Sequence, residues 1–245
     1  MAVTSAQKYL AEFIGTFALL LFGVGSAVFS LALPSTDPAA RVVLISLTFG
    51  LVLAALAWAF GDLSGGHFNP AVTISMAVSG RLPLRDVVPY LVAQIVGGIL
   101  GVAVVLGIVL GGPSSFITSV QGSALTSQGY SGNSAPYFFS LGAVFLIELV
   151  LTFVFILVIQ LVTHPESPAR NLAPLAIGGA LLVANLVAIP VDGASLNPMR
   201  SFAPALLALH WSGTNWALDE SWLFWVAPIL GGILAALAER VLKPR

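Results

Sequence analysis

Long apolar runs alternate with short polar segments along most of the chain. Six runs approach or exceed the length of about 20 residues that a membrane-spanning helix needs. Glu12 in the first run and Glu148 in the fourth are the only charged residues within them. In lipid such a run must be helical, because only a helix lets a lone segment satisfy its own backbone. The pattern therefore predicts six transmembrane helices, over residues 9–33, 42–61, 87–112, 136–162, 171–191 and 222–238.

Two shorter apolar segments each begin with an Asn-Pro pair, one after the second predicted span and one after the fifth. In each segment Asn69 or Asn197 can cap a helix, and Pro70 or Pro198 can occupy its first position. The segments, 70–80 and 198–209, contain 11 and 12 residues. Because neither is long enough to cross a bilayer, we predict two re-entrant half-helices that enter the membrane and stop.

The two halves of the chain resemble each other. Residues 93–100 match residues 227–234 at six of eight positions, and the Thr and Phe that follow Glu12 are mirrored after Glu148. Each half has three spans, an odd number, so the halves are expected to lie inverted in the membrane. We predict one channel domain, 1–245, built from inverted repeats at about 9–112 and 136–242. Such repeats bring broken helices together near the midplane.

Composition places this architecture in a bilayer. The chain is 58% hydrophobic and 8% charged, with a mean hydropathy of +1.01, whereas soluble domains are about 25% charged. A net charge of −1 argues against a nucleic-acid partner. The absence of cysteine excludes disulfides, thiolate catalysis and iron–sulfur ligation. We therefore expect an all-α membrane protein with no catalytic residues, metal or cofactor.

Positive residues predict the orientation. With the amino terminus inside, Arg41 and Arg200 lie outside, and the positive-inside rule then places both termini in the cytoplasm of a multi-pass cell-membrane protein. Arg200 falls within a half-helix, where a charge costs at least about 2.5–3.5 kcal/mol, so it should line water or meet a partner. The inner residues are Lys8, Arg81, Arg85, Arg170, Arg240, Lys243 and Arg245.

The two half-helices predict a path for a small neutral molecule. Their amino ends point at each other, and each carries roughly +0.5 of an elementary charge, which repels protons and metal cations. The amides of Asn69 and Asn197 can cap their helices and still donate to a passing molecule. The irregular backbone before each Asn-Pro pair can line such a path with carbonyl acceptors.

Several motifs carry a family resemblance. Residues 64–73 read SGGHFNPAVT, residues 11–17 read AEFIGTF, and residues 222–228 read WLFWVAP. Over essentially the whole chain they resemble the aquaporin or major intrinsic protein family, in particular its bacterial and archaeal water channels. The resemblance implies an aquaporin-like hourglass, passive passage of water without protons or ions, and a homotetramer with one pore per subunit. The first motif ends in Ala71, and the second has Met199 in place of that alanine.

The family's outer constriction is carried onto four residues by their spacing from the motifs. Phe49 and Arg200 match water-selective members. Asn185 stands where water channels usually have His, and Ala194 stands where Thr or Cys is common; both are small, which widens the expected opening. Because Ser201 follows Arg200 where glycerol channels have Asp, we predict a water channel. The wider opening predicts that ammonia or hydrogen peroxide can also pass. A glycerol or urea channel is the alternative.

Some residues have a second interpretation. Glu12 and Glu148 are candidates for a proton relay, although their matched positions favour bracing the re-entrant connections. His67 is a candidate gate or metal ligand, but no other His or Cys lies near it in the sequence, which favours a packed residue that braces its loop. Met199 either packs between the half-helices or enters the pore. An ion-coupled transporter is less favoured, since Glu12, Glu148 and Arg200 are the only ionisable groups expected at membrane depth.

Overall fold

The computed structural model describes residues 3–33, 37–130, 139–168, 170–213 and 215–242. Within these ranges the chain forms ten α-helices and no strand. The helices are α1 (Ser5–Phe29), α2 (Pro38–Ser64), α3 (Pro70–Val78), α4 (Leu84–Leu110), α5 (Ser114–Gly122), α6 (Leu141–Val162), α7 (Ala173–Asp192), α8 (Pro198–Ser212), α9 (Trp216–Glu220) and α10 (Leu223–Leu242). Six of them are long and apolar enough to span a membrane, which confirms the predicted all-α fold: α1, α2, α4, α6, α7 and α10.

The helices α1 and α2 begin earlier than their apolar runs because polar residues cap them, whereas α6, α7 and α10 begin later than predicted. Thr4 and Gln7 form a capping box that starts α1. Asp37 accepts a hydrogen bond from the backbone N–H of Ala39 and caps α2, with Pro38 at its first position. Such residues are favoured at helix starts, but they are invisible to a search for hydrophobic runs.

The helices α3 and α8 are the two half-helices. At 1.5 Å per residue they are about 13 and 22 Å long, so neither spans the roughly 30 Å hydrocarbon core. The predicted ends were wrong by a few residues: α3 stops at Val78, and α8 continues to Ser212, where Gly213 adopts a left-handed φ of 71°.

The polar segment after the third span is partly helical. After Pro113 it forms α5, in which the backbone carbonyls of Ser114 and Ser115 accept hydrogen bonds from the hydroxyls of Thr118 and Ser119. The first residues of the predicted fourth span, 136–138, and the inner residues Lys243 and Arg245 lie outside the described residues.

Glycines allow the spanning helices to approach closely. A Cβ atom on Gly97 of α4 would strike a backbone carbonyl of α1, and one on Gly231 of α10 would strike a backbone carbonyl of α6. The helices α2 and α7 meet through Gly50 and Gly178 in the same way. Small residues at crossings are typical of membrane helix pairs, and these crossings pair α1 with α4, α6 with α10 and α2 with α7.

The two connections that lead into α3 and α8 follow the same backbone course. The φ angle is 91° at both Gly65 and Gly193, 48° at Phe68 and 52° at Leu196. Left-handed conformations are unfavourable for Phe and Leu. Surrounding contacts must therefore hold both connections in place.

Candidate functional site

Each half-helix begins at its Asn-Pro pair. The Oδ1 atom of Asn69 accepts a hydrogen bond from Ala71 N at 2.9 Å, and that of Asn197 accepts one from Met199 N at 3.0 Å. Pro70 and Pro198 occupy the first helical positions. The asparagine side chains thus cap the helices through their oxygens and keep their NH2 groups for other partners.

The same two asparagines join the half-helices to each other. Asn69 Nδ2 donates to the carbonyl of Leu196 at 2.8 Å, and Asn197 Nδ2 donates to the carbonyl of Phe68 at 3.0 Å. Each NH2 group carries two hydrogens, so one holds the opposite connection and the second is left for the cavity that both residues line. The positive amino ends of α3 and α8 consequently meet at one place.

Glu12 holds the connection before α3. Its Oε1 atom accepts from Ser64 Oγ at 2.6 Å and from His67 N at 2.9 Å. Its Oε2 atom accepts from Phe68 N at 2.8 Å and from Gln94 Nε2 at 2.7 Å. Four donors around one buried carboxylate match its acceptor capacity, which offsets the cost of burying its charge.

Glu148 holds the connection before α8 with fewer donors. Its Oε1 atom accepts from Ser195 N at 2.7 Å, and its Oε2 atom accepts from Leu196 N at 2.9 Å. Where the first connection has Ser64, the second has Asp192, whose Oδ1 atom accepts from Ala194 N at 2.8 Å. Sequence reasoning missed Asp192, although the alignment of 64–69 with 192–197 would have shown the acid in place of a serine.

His67 and Ser195 occupy matching positions and both face the cavity. The Nδ1 atom of His67 lies 3.1 Å from Thr73 Oγ1, and Ser201 Oγ donates to Ser195 Oγ at 2.7 Å. Among the described residues no group of three His, Cys, Asp or Glu side chains could hold a metal ion. In its connection, His67 is held by a hydroxyl of the half-helix that follows.

A narrow cavity runs past both half-helix starts. It has a largely apolar wall interrupted by a few polar side chains. That combination suits a small polar solute moving through an otherwise apolar pore. The wall is formed by Leu19, Phe49, Leu53, His67, Asn69, Phe155, Leu181, Asn185, Ser195, Asn197 and Arg200.

Three of the four predicted constriction residues lie on this wall. The guanidinium carbon of Arg200 is 5.5 Å from the centre of the Phe49 ring, within range of a cation–π contact. Asn185 is 3% exposed, and its Nδ2 atom has no hydrogen-bond partner among the described residues. Ala194 is buried with a φ of 56° and is not among the described residues that form the wall.

An unusual turn holds Arg200. Ala124, Leu125 and Thr126 are consecutive left-handed residues, with φ angles of 47°, 57° and 56°. The turn directs the carbonyl of Thr126 at Arg200, whose Nη1 atom donates to it at 3.2 Å. Left-handed residues other than glycine normally occur singly, and sequence reasoning had no signal for three in a row.

The comparisons with known proteins agree with this geometry. A family model described as Major intrinsic protein matches residues 1–239. The chain belongs to the major intrinsic protein family. It is 43% identical over 240 residues to Aquaporin Z of Rhodopseudomonas palustris, covering 98% of this chain and 95% of that protein. It is 42% identical over 237 residues to Aquaporin Z of Bradyrhizobium diazoefficiens, covering 97% and 93%.

A solved structure shares the fold. The aquaglyceroporin from Plasmodium falciparum superposes with a TM-score of 0.82 at 23% identity and covers 98% of this chain and 97% of that one. The family resemblance is therefore confirmed, and with it the expectation of a membrane channel instead of an enzyme.

In this major intrinsic protein Met199 packs away from the cavity. The residue is fully buried and lies in an apolar cluster with Leu20 and Val24 of α1 and Val102 of α4. A Cβ atom on Gly98 would come within 3.1 Å of Met199 Cε. Of the two interpretations of the Asn-Pro-Met motif, the structure favours packing between helices.

Proposed function

We propose that the protein is a passive channel for water in the cell membrane that excludes protons and ions. The observation that carries the proposal is the cavity at the joined starts of α3 and α8, with Asn69, Asn197 and Arg200 on its wall. The names of the 42–43% identical relatives, Aquaporin Z, support it.

The wall suggests how water passes and charge does not. A water oxygen that reaches the half-helix starts meets the remaining amide hydrogens of Asn69 and Asn197. It then accepts from both sides, so its own hydrogens point away along the file. A hydronium or metal ion at the same place meets two positive helix ends and the permanent charge of Arg200. The field therefore favours a neutral molecule that can accept hydrogen bonds.

Selectivity among neutral solutes is assigned to the outer constriction of Phe49, Asn185, Ala194 and Arg200. Asn185 lines the cavity and is smaller than the histidine expected there in water channels. This favours passage of ammonia or hydrogen peroxide in addition to water. The same observation makes a glycerol or urea channel the second candidate.

The arrangement in the membrane is part of the proposal. The matched connections at Glu12 and Glu148 support inverted repeats at about 9–112 and 136–242. The distribution of Lys and Arg supports cytoplasmic termini. The spanning helices expose many large apolar side chains, such as Leu51 on α2 and Leu146 on α6, which lipid or neighbouring subunits of a homotetramer would cover.

Stopped-flow shrinkage of proteoliposomes tests the function. The protein should conduct water rapidly with a low activation barrier, and glycerol and urea uptake on the same preparation should match that of empty vesicles. Fast glycerol or urea uptake would replace the water assignment with the second candidate.

A matched pair of variants ties the flux to the cavity. Asn185→Trp places a large ring on the wall and should abolish water flux. Leu186→Trp adds the same ring one residue along α7, at a side chain that is 37% exposed on the outside of the bundle, and should leave the flux unchanged. Equal flux through both variants would mean that water does not pass through this cavity.

A further inference from the structure

The two half-helix connections are supported by different chemistry. Before α3, the Ser64 hydroxyl donates to Glu12 at 2.6 Å. Before α8, the corresponding residue is Asp192. It accepts from Ala194 N, while Glu148 accepts from the next two backbone N–H groups, those of Ser195 and Leu196, so the two carboxyl groups lie side by side. A serine hydroxyl always has a hydrogen to donate, whereas a carboxyl group has one only when it is protonated.

The donors around the acid pair are too few for two carboxylates. Glu148 accepts from the backbone N–H groups of Ser195 and Leu196, and Asp192 Oδ1 accepts from that of Ala194. Asp192 Oδ2 is buried and has no donor among the described residues. Both side chains are 0% exposed, and two touching buried carboxylates cannot both be ionised without a large cost.

The charges around the pair do not remove this cost. Arg200 of α8 is the cationic side chain that acts on both acids, and its Nη1 atom also bonds to the carbonyl of Thr126. The segment before residue 130 contributes the neutral Gln128, which donates to the carbonyl of Gly193 at 3.5 Å.

The remaining neighbours are apolar or turned elsewhere. On the α10 side the cluster that includes Val191 is formed by Phe224 and Ala227, together with Tyr130. Glu220 of α9, another buried acid, accepts from Tyr130 N at 2.8 Å. If both acids were ionised, the single positive charge of Arg200 would leave one negative charge of the pair unbalanced.

We propose that Asp192 is a positioning residue whose carboxyl group is protonated. Its O–H group donates a hydrogen bond to the carboxylate of Glu148, as the Ser64 hydroxyl does to Glu12. The pair then carries a single negative charge, which Arg200 balances. Where the two acids face each other, an oxygen of Asp192 donates a hydrogen bond and an oxygen of Glu148 accepts it. Through Glu148 the proton fixes Ser195 and Leu196, and through them Asn197 and Arg200 on the cavity wall.

Infrared difference spectroscopy tests the proton directly and does not depend on the proposed function. At neutral pH the wild type should show a carbonyl band of a protonated carboxylic acid that is absent from Asp192→Asn and also from Glu148→Gln. The control Asp219→Asn removes an exposed carboxyl group of α9 and should leave the band in place. The proposal would be overturned if the wild type lacked this band, or if the band remained in either Asp192→Asn or Glu148→Gln.

The second test measures water flux against pH and rests on the proposed function. The wild type should lose flux reversibly as alkaline buffer removes the shared proton. Asp192→Ser and Asp192→Asn, which donate at every pH, should retain flux and show a flat profile, and Asp192→Ala should have lower flux at every pH. Profiles of the serine and asparagine variants that follow the wild type would refute the role of the proton, even in a working water channel.

Discussion

Replacing Met199 with alanine tests whether this side chain packs between helices or lines the pore, because a packing role affects stability and a pore-lining role affects flux. The change removes three heavy atoms from a fully buried side chain. If each atom fills about the 30 Å³ share of a water molecule, the void is about 90 Å³. At about 24 cal/mol per Å³ of cavity, Met199→Ala should lower the free energy of unfolding by about 2 kcal/mol. Moving the Met199 side chain from the cluster into lipid on unfolding adds little to this free energy, because lipid chains are as apolar as the cluster.

The assay combines stability with flux on one preparation. A loss of about 2 kcal/mol corresponds to a fall of about 4–8 °C in the unfolding midpoint, on the scale of chains of 150–250 residues. Thermal unfolding in detergent should show this fall. Water flux at a temperature well below the midpoint should equal that of the wild type, since Met199 is not among the described residues that line the cavity.

Gly98 provides a control that depends on the same contact. A Cβ atom there would lie 3.0 Å from Leu20 Cδ1 and 3.1 Å from Met199 Cε, so Gly98→Ala should destabilise the wild type. In the Met199→Ala background the second contact is gone and the new methyl group occupies part of the void. The double variant should therefore be more stable than the sum of the single changes implies, by at least about 0.5 kcal/mol.

Two results would refute this reasoning. If Met199→Ala changes water or solute flux without a change in stability, the side chain faces the pore and the packing interpretation fails. If the effects of Met199→Ala and Gly98→Ala simply add, the two residues do not share the contact that the structure shows.

Four further predictions concern the constriction and its support. Arg200→Val should admit protons or larger solutes in a vesicle acidification assay, and unchanged exclusion would remove Arg200 from the filter. Asn185→His should reduce uptake of any solute larger than water, whereas equal uptake would place position 185 outside the constriction. Mercurial reagents should not inhibit water flux, because the chain has no cysteine; reversible inhibition would contradict the assigned pore lining. Ala194→Gly should raise the unfolding midpoint, since glycine relieves a left-handed φ of 56° that costs alanine about 1 kcal/mol; a lower midpoint would show that the alanine methyl group contributes more through packing.

Features that depend on neighbouring residues were predictable from the sequence. Hydrophobic length identified the six spans, and Asn69-Pro70 and Asn197-Pro198 marked the starts of α3 and α8, because caps and first-turn prolines act within one helical turn. The ends of the same half-helices were less accurate. Trp211 and Ser212 extend α8 without an apolar run, so the hydrophobic pattern stops before the helix does.

Features that depend on distant contacts could not be predicted in the same way. The direction of Met199 is decided by the space that Gly98 leaves on another helix. The left-handed turn at Ala124–Thr126 is composed of residues with no preference for that conformation, and its contact with Arg200 emerges only in the folded chain. Asp192 looked like an ordinary residue after a span until the fold placed it against Glu148.

The exchange of hydrogen bonds between the two Asn-Pro pairs has a consequence for biosynthesis. Asn69 bonds to a carbonyl 127 residues later in the chain, and Asn197 bonds to one 129 residues earlier. While the ribosome is still translating the second half, the first re-entrant segment has only its contacts with Glu12 and its own half to hold it. We therefore expect the two connections to reach their final structure only after the second segment has been inserted, when each half supplies the hydrogen bond that the other lacks.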